Sequence, residues 1–139
     1  MFPALDISSS GLAAQRIRMN ARSSNIANVS TTHNEAGERD PYRAKYVIFQ
    51  TEPDIGAYGA EGVKVSSVEQ EDKEPRWKYE PTNPDAIQEG PKAGYVAYPN
   101  VDMVIEFTDA LEAARSYEAN LGAIEITKDM TNQTLRILA

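Results

Sequence analysis

Mostly apolar residues recur at coiled-coil spacing near both ends of this 139-residue chain, and the region between them shows no such spacing. Near the amino end, Leu5, Leu12, Met19 and Ile26 are seven residues apart. Near the other end, steps of three and four residues, with one step of seven after Ile124, connect Met103, Phe107, Ala110, Ala114, Tyr117, Leu121, Ile124, Thr131, Leu135 and Leu138. These spacings predict two helices, each with a narrow apolar stripe that only another helix can cover well.

The two helices are expected to occupy the ends of the chain. The amino-terminal segment, 1–30, offers side-chain oxygens between Asp6 and Ser10 that suit the start of a helix. The carboxy-terminal segment, 100–139, begins with Asn100, another residue favoured as a helix cap. A helix of this length spans roughly 55 Å. Because a small middle domain cannot cover it, the second helix needs a helical partner.

The middle segment, 31–99, is rich in proline and glycine and lacks a helical pattern. Its runs of β-branched and aromatic residues predict three strands, at about 45–51, 62–69 and 75–80. Residues 81–100 contain four prolines and are expected to form an extended connection. The predicted fold class is therefore α+β, with long terminal helices forming a coiled-coil-like stalk and a small β-rich middle domain.

The two helical ends differ in charge. Residues 1–30 carry three arginines and one aspartate, whereas residues 101–139 carry three basic and seven acidic side chains. Opposite charge favours pairing of the two ends, either within one chain or between copies. The alternative is that both are solvated faces, since an exposed ion pair contributes only about 0–1 kcal/mol.

Composition argues against several classes of function. A net charge of −7 disfavours nucleic acid and anionic membrane surfaces, which are bound mainly by clustered lysine and arginine. The chain has no cysteine, so it has no disulfide framework and no thiolate nucleophile. No apolar run approaches the ~18–20 residues that span a bilayer, and we expect no direct membrane insertion.

Catalytic and ligand-binding patterns are also missing from the sequence. His33 is the single histidine, and it lies in a polar loop segment without an apolar run around it. Gly56, Gly59 and Gly62 do not match a phosphate-binding loop, and no calcium-binding loop spacing occurs. We therefore predict a protein that is not an enzyme, with no catalytic, cofactor-binding or metal-binding residues, no cofactor and no small-molecule substrate.

Two pairs of motifs carry a resemblance to a known family. SSNIANVSTT, residues 23–32, ends the first predicted helix, and RSYEAN, residues 115–120, lies in the second. Together they resemble the flagellar rod and hook family of bacterial axial proteins. PYRAK at 41–45 and GYVAYPNV at 94–101 are similar to the proximal-rod members of that family. The resemblance extends over nearly the whole chain.

The resemblance implies an architecture and a function. In that family, both terminal helices pack into an inner tube, and a small β-rich domain lies outside it. The chain is accordingly expected to be a structural subunit of the proximal rod that polymerises through its terminal helices. Its expected partners are copies of itself and other flagellar rod subunits. The alternatives are another flagellar rod subunit, or a non-flagellar coiled-coil adaptor, which explains the heptad spacing but not the paired motifs.

The resemblance also implies roles for polar residues. Asn25 and Asn28 match the asparagines of the first motif, where they hold the turn, bridge subunits or cap the helix. The second motif adds side chains expected at assembly contacts beside the heptad-spaced residues: Arg115, Tyr117, Glu118 and Asn120. Arg115 and Glu118 are expected to pair between helices, whereas packing is the plain interpretation of Tyr117.

Family members leave the cytoplasm through the flagellar type III export gate, without a cleaved signal. The amino-terminal residues of this chain lack the basic and continuous apolar regions of a secretory signal peptide. The expected location is the rod of the basal body, in the periplasmic space. Phe2 and Leu5 are candidate contacts to the export gate.

Overall fold

A computed structural model describes residues 3–55 and 59–138, which form two long helices and two small sheets. The elements in chain order are α1 (Pro3–Ala27), β1 (Lys45–Ile55), β2 (Ala60–Gln70), β3 (Arg76–Tyr79), β4 (Tyr95–Tyr98) and α2 (Met103–Leu138). The expected α+β class is confirmed. Phe2, one of the two candidate export-gate contacts, lies outside the described residues.

Both helices begin at positions other than those expected from the sequence. α1 starts at Pro3, because proline fits the first turn of a helix, where its missing N–H group is not needed. α2 starts at Met103, and the Asp102 carboxylate accepts hydrogen bonds from two backbone N–H groups of the first turn, at 2.9 and 3.4 Å. The expectation that Asn100 caps α2 is wrong, since its amide donates to the carbonyl of Glu74 at 3.0 Å. Asp102 is the cap.

α1 and α2 pack against each other as an antiparallel pair. The end of α1 contacts the start of α2, and a Cβ atom added to Gly11 would lie 3.0 Å from the Asn120 side chain. The buried apolar side chains of the two helices are small: Ala14, Ala21 and Ala113, of which the last is completely buried. Small residues let the helices approach closely, but they bury little apolar surface. Most large apolar side chains of α2 are therefore left exposed.

α2 is longer than its partner. Gly11 lies opposite Asn120, and Asn25 lies opposite Glu106, so Pro3 is level with about residue 128. At about 1.5 Å per residue, residues 129–138 extend roughly 15 Å beyond Pro3.

β1 and β2 form an antiparallel hairpin that packs along α1. The pairing runs from Lys45 and Gln70 to the turn, with irregularities in register after Ile48 and after Glu52. Near the turn, the Ser10 hydroxyl of α1 accepts a hydrogen bond of 3.1 Å from the backbone N–H that follows Gly62. A Cβ atom at Gly62 would lie 2.8 Å from that hydroxyl oxygen and only 1.9 Å from the Ile55 side chain, so any larger residue here would displace one or both of them.

β3 and β4 form a second antiparallel pair, with Val96 almost completely buried beneath it. The Tyr79 and Tyr95 rings meet edge to face at 5.2 Å, and the Lys92 ammonium lies 3.8 Å above the Trp77 ring centre. β4 lies inside the segment 81–100, for which the sequence predicted only an extended connection. β4 has only four residues and lies between turn-forming residues, so its sequence gives too short a pattern to predict a strand.

Candidate assembly interface

Asn25 connects the end of α1 to the start of β1 and the start of α2. Its side-chain oxygen accepts hydrogen bonds from the Lys45 N–H at 2.7 Å and from the Tyr42 hydroxyl at 2.9 Å. Its amide nitrogen donates to the Lys45 carbonyl at 2.8 Å and to Glu106 Oε2 at 2.9 Å. Asn25 is completely buried, and these four bonds use its whole hydrogen-bonding capacity. The side chain holds the turn and two other elements together within one chain.

Two arginines of α1 extend this polar junction along the helix pair. Arg22 contacts Glu106 at 3.1 Å and Asp109 at 3.0 Å, and Arg18 contacts Glu112 at 3.3 Å. Arginine and carboxylate side chains of opposite helices therefore pair within one chain. The sequence showed the opposite charges of the ends but not these pairs. The four-residue spacing of the arginines and the three-residue spacing of Glu106 and Asp109 are the signals that place each set on one helix face.

The heptad-spaced residues divide into two groups by exposure. On α1, Leu5, Leu12, Met19 and Ile26 are half-buried. On α2, the half-buried ones are Ala110, Ala114, Tyr117, Ile124 and Thr131, and the exposed ones are Met103, Phe107, Leu121 and Leu135. Asn120, from the second motif, is also half-buried. Contact with α1 covers one side of the α2 stripe and leaves the other side open.

The open side of α2 is wider than the sequence indicated. Val104 is 74% exposed, Phe107 55%, Leu111 54% and Leu121 43%, and the half-buried Ala114 lies between the last two. We call these five residues the outer α2 stripe. Val104 and Leu111 were not among the expected assembly residues, although they are seven residues apart and begin a second three-and-four pattern beside the first. Contiguous exposed apolar surface on a helix indicates an interaction site.

The remaining expected residues are in different environments. The Asn28 amide donates to the Ser24 carbonyl at 2.9 Å, a contact that closes the last turn of α1. Arg115 and Glu118 are exposed, and neither forms an ion pair with any residue that the structure describes.

A polar cluster lies on the small β3–β4 sheet. Glu80 pairs with Lys78 and accepts hydrogen bonds from Asn83 at 3.0 Å and from the Tyr98 hydroxyl at 2.9 Å. Lys78, followed by these two donors, lowers the pKa of the Glu80 carboxyl to about 2. The hydrogen bond to Glu80 raises the pKa of Tyr98. This carboxylate is held by fixed donors, as in a structural turn, and it is not poised to exchange protons near neutral pH.

The described part of the chain lacks two further features. Across residues 3–55 and 59–138, no group of three or more potential ligands could hold a metal ion. Neither of the helices in these ranges has an apolar stretch long enough to cross a membrane.

Comparison with known proteins agrees with the helix pair and its motifs. Residues 5–33 match the family model described as "Flagella basal body rod protein", and residues 92–137 match "Flagellar basal body rod FlgEFG protein C-terminal". These matches cover α1 with its following turn, and β4 with nearly all of α2. They define the class of protein as a flagellar rod protein.

Similar proteins of full length give a narrower assignment. A protein of Borreliella burgdorferi named "Flagellar basal-body rod protein FlgC" is 39% identical over 99% of this chain and 97% of its own length. The protein of the same name in Bacillus subtilis is 40% identical over 98% of this chain and 97% of its own length. The one in Salmonella typhimurium is 41% identical over 95% of this chain and 93% of its own length. The chain belongs to the FlgC family of flagellar basal-body rod proteins. This membership confirms the prediction of a structural rod protein that is not an enzyme.

Proposed function

We propose that this chain is a structural subunit of the proximal rod and polymerises through its two terminal helices. The outer α2 stripe is the observation that carries the proposal. Burying a large apolar side chain contributes about 1.5–3 kcal/mol, and four such side chains on this stripe are more than two-fifths exposed in the single chain. Covering them with a neighbouring helix provides the main driving force for association. With that neighbour, α1 and α2 form the coiled-coil-like stalk expected from the heptad spacing.

The chain divides into two assembly segments, 1–30 and 100–139, and a middle domain, 31–99. The polar junction around Asn25 supports this division, because one buried side chain joins the start of the middle domain to both helices. The hairpin is carried on one side of α1, so the middle domain faces the outer wall of the rod while the helices associate.

Copies of the chain and other rod subunits are its partners in the basal body. The subunit reaches the periplasmic space through the flagellar type III export gate, without a cleaved signal, and Phe2 and Leu5 contact the gate. Family membership supports the location in the basal body and the partnership with other rod subunits. The remaining heptad-spaced residues, together with Arg115 and Glu118, contribute to contacts between subunits.

A substitution on the outer α2 stripe tests the proposal. The chain is expressed in a motile bacterium whose own copy is deleted, and motility and the rod content of purified basal bodies are measured. Leu111→Glu is expected to leave the fold intact, because this residue is 54% exposed, and to abolish rod formation. Gln88→Glu adds the same charge to an exposed position in the loop before β4 and is expected to assemble normally.

A deletion provides a second test. Removing residues 1–20 takes away most of α1 and is expected to abolish incorporation into the rod. Normal assembly of the deletion variant, or of a folded Leu111→Glu chain, contradicts polymerisation through the helices.

A further inference from the structure

α1 has an exposed stripe of its own. Seven exposed residues follow alternating steps of three and four along its whole length: Asp6, Ser9, Ala13, Arg16, Asn20, Ser23 and Ala27. We call them the outer α1 stripe. Apart from Arg16, their side chains are small or short, so a neighbouring helix with bulky side chains can approach this face closely.

The two outer stripes face opposite sides of the helix pair. Helical residues turn by about 100° each, so the outer α1 stripe lies about half a turn away from Gly11, Arg18 and Arg22, which contact α2. On α2, the centre of the outer stripe lies about 110° around the helix from Glu106 and about 150° from Asn120, which contact α1. One copy thus carries a bulky apolar stripe on one flank and a stripe of small residues on the other.

We propose that the outer α2 stripe of one copy packs against the outer α1 stripe of a second copy, in a contact that repeats from copy to copy. The inference rests on the proposed function and names the partner surface. Within one chain, α1 and α2 are antiparallel. When neighbouring copies point in the same direction, α2 of one copy is therefore also antiparallel to α1 of the next. Because the two surfaces differ, the contact is heterologous and continues into an open or closed series of subunits.

Charge fixes the register of this contact. When Arg16 of one copy faces Glu118 of the other in the antiparallel arrangement, Asp6 faces Lys128. Both pairs join opposite charges, and all four side chains are exposed in the single chain. A shift of one heptad in either direction places Asp6 opposite Leu121 or Leu135 and loses the second pair.

Side-chain size agrees with the same register. Ala13 faces Leu121, Ser23 faces Leu111 and Ala27 faces Phe107, so three small residues of α1 meet large exposed apolar residues of α2. Large side chains opposite small ones are the arrangement that close helix packing requires.

The register also sets the relative height of neighbouring copies. Within one chain, Gly11 lies opposite Asn120, so Glu118 is level with Ala13. Pairing Glu118 with Arg16 of the next copy displaces that copy by three residues, which is about 4.5 Å along the helix axis. A row of copies therefore climbs with each subunit, so the repeated contact builds a helical wall in place of a flat ring.

Site-specific disulfides test the contact in assembled rods. The chain has no cysteine, so Arg16→Cys and Glu118→Cys each introduce a single thiol. Cells that produce both single variants are expected to yield basal bodies in which mild oxidation links an Arg16→Cys copy to a Glu118→Cys copy. Cells that produce either variant alone are expected to give no linked pair, because like positions of two copies do not face each other in a heterologous contact.

Charge exchange provides a second measurement that needs no oxidation. Arg16→Glu alone is expected to lower rod incorporation about twofold to fivefold, within the range set by exposed ion pairs. The double variant Arg16→Glu with Glu118→Arg is expected to restore it. Glu89→Lys, at an exposed loop position, is the control that changes charge without touching either stripe.

The failures of the two proposals are distinguishable. The inference is overturned, and the proposed function is retained, if the copies enter rods but form disulfides only between like positions or only with a different rod protein. Loss of rescue by the charge exchange also overturns it. A folded wild-type chain that never enters a rod overturns the proposed function, and the inference falls with it.

Discussion

Replacing Asn25 with aspartate tests the polar junction with almost no change in size. The amide nitrogen of Asn25 donates to the Lys45 carbonyl at 2.8 Å and to Glu106 Oε2 at 2.9 Å. In Asn25→Asp, a carboxylate oxygen takes the place of that nitrogen. Two acceptors then lose their donor, and a second negative charge is placed against Glu106 in a completely buried position.

The expected loss of stability is large for a chain with so small a core. Leaving a buried acceptor without its partner costs about 1–3 kcal/mol, and two are affected. Repulsion between two carboxylates about 4 Å apart adds up to about 4 kcal/mol at an effective dielectric constant of 20, and Arg22 offsets part of it. We expect Asn25→Asp to lower the free energy of unfolding by about 3–6 kcal/mol. Domains of this kind have only about 5–15 kcal/mol in total.

Urea unfolding of the purified chain, followed by circular dichroism, measures this loss at pH 7. Asn28→Asp is the matched control, since Asn28 is half-buried and its amide nitrogen, the group that the substitution removes, donates one bond, to the Ser24 carbonyl at 2.9 Å. The control is expected to cost about 1–2 kcal/mol, from one lost hydrogen bond and a negative charge near a helix carboxy terminus. If the two variants differ by less than about 0.5 kcal/mol, the junction does not stabilise the fold as argued.

Three further predictions concern local features of the fold. Gly62→Val is expected to separate the hairpin from α1, because its Cβ would lie 2.8 Å from the Ser10 hydroxyl oxygen of α1 and its methyl groups would reach further. Rapid proteolysis within residues 45–70 with unchanged helical circular dichroism checks this, and protection of the hairpin contradicts it. Gly122→Ala is expected to raise the free energy of unfolding by about 0.5–1 kcal/mol, because alanine favours a helix more than glycine does and no neighbour lies within 4 Å of the new Cβ. Thermal unfolding measures this gain, and a destabilised variant contradicts it. Glu80 has a pKa of about 2 in the folded chain, below its ordinary value, so its stabilisation is complete above about pH 4.5 and is lost as the pH falls towards 2. Trp77 fluorescence is therefore expected to change more steeply over this range in the wild-type chain than in Glu80→Gln, and identical profiles contradict the assignment.

The sequence was sufficient to locate the terminal helices, because heptad spacing over many turns depends on local residue order alone. It did not show which part of the α2 stripe faces α1. Ala110, Tyr117 and Ile124 are half-buried, whereas Phe107 and Leu121, in the same predicted stripe, are exposed. Apolar residues cover so much of the circumference of α2 that the position of its partner decides which of them remain open.

Long-range polar contacts were beyond the reach of sequence patterns. The sequence left Asn25 with three possible roles, and the choice depends on Glu106, which is 81 residues away along the chain. The strand β4 was missed for a related reason, since four residues enclosed by turns acquire strand structure only when they pair with β3. In both cases the determining partner is distant in sequence and leaves no local periodicity.

A density map of basal bodies assembled with this chain, resolved to side chains, tests the central claim most directly. The account predicts that the chain lies in the rod with Phe107 and Leu111 covered by a helix of an adjacent subunit, while Asn25 keeps its bonds within one chain. Rods in which this chain is present but its outer α2 stripe faces solvent would contradict assembly through the terminal helices.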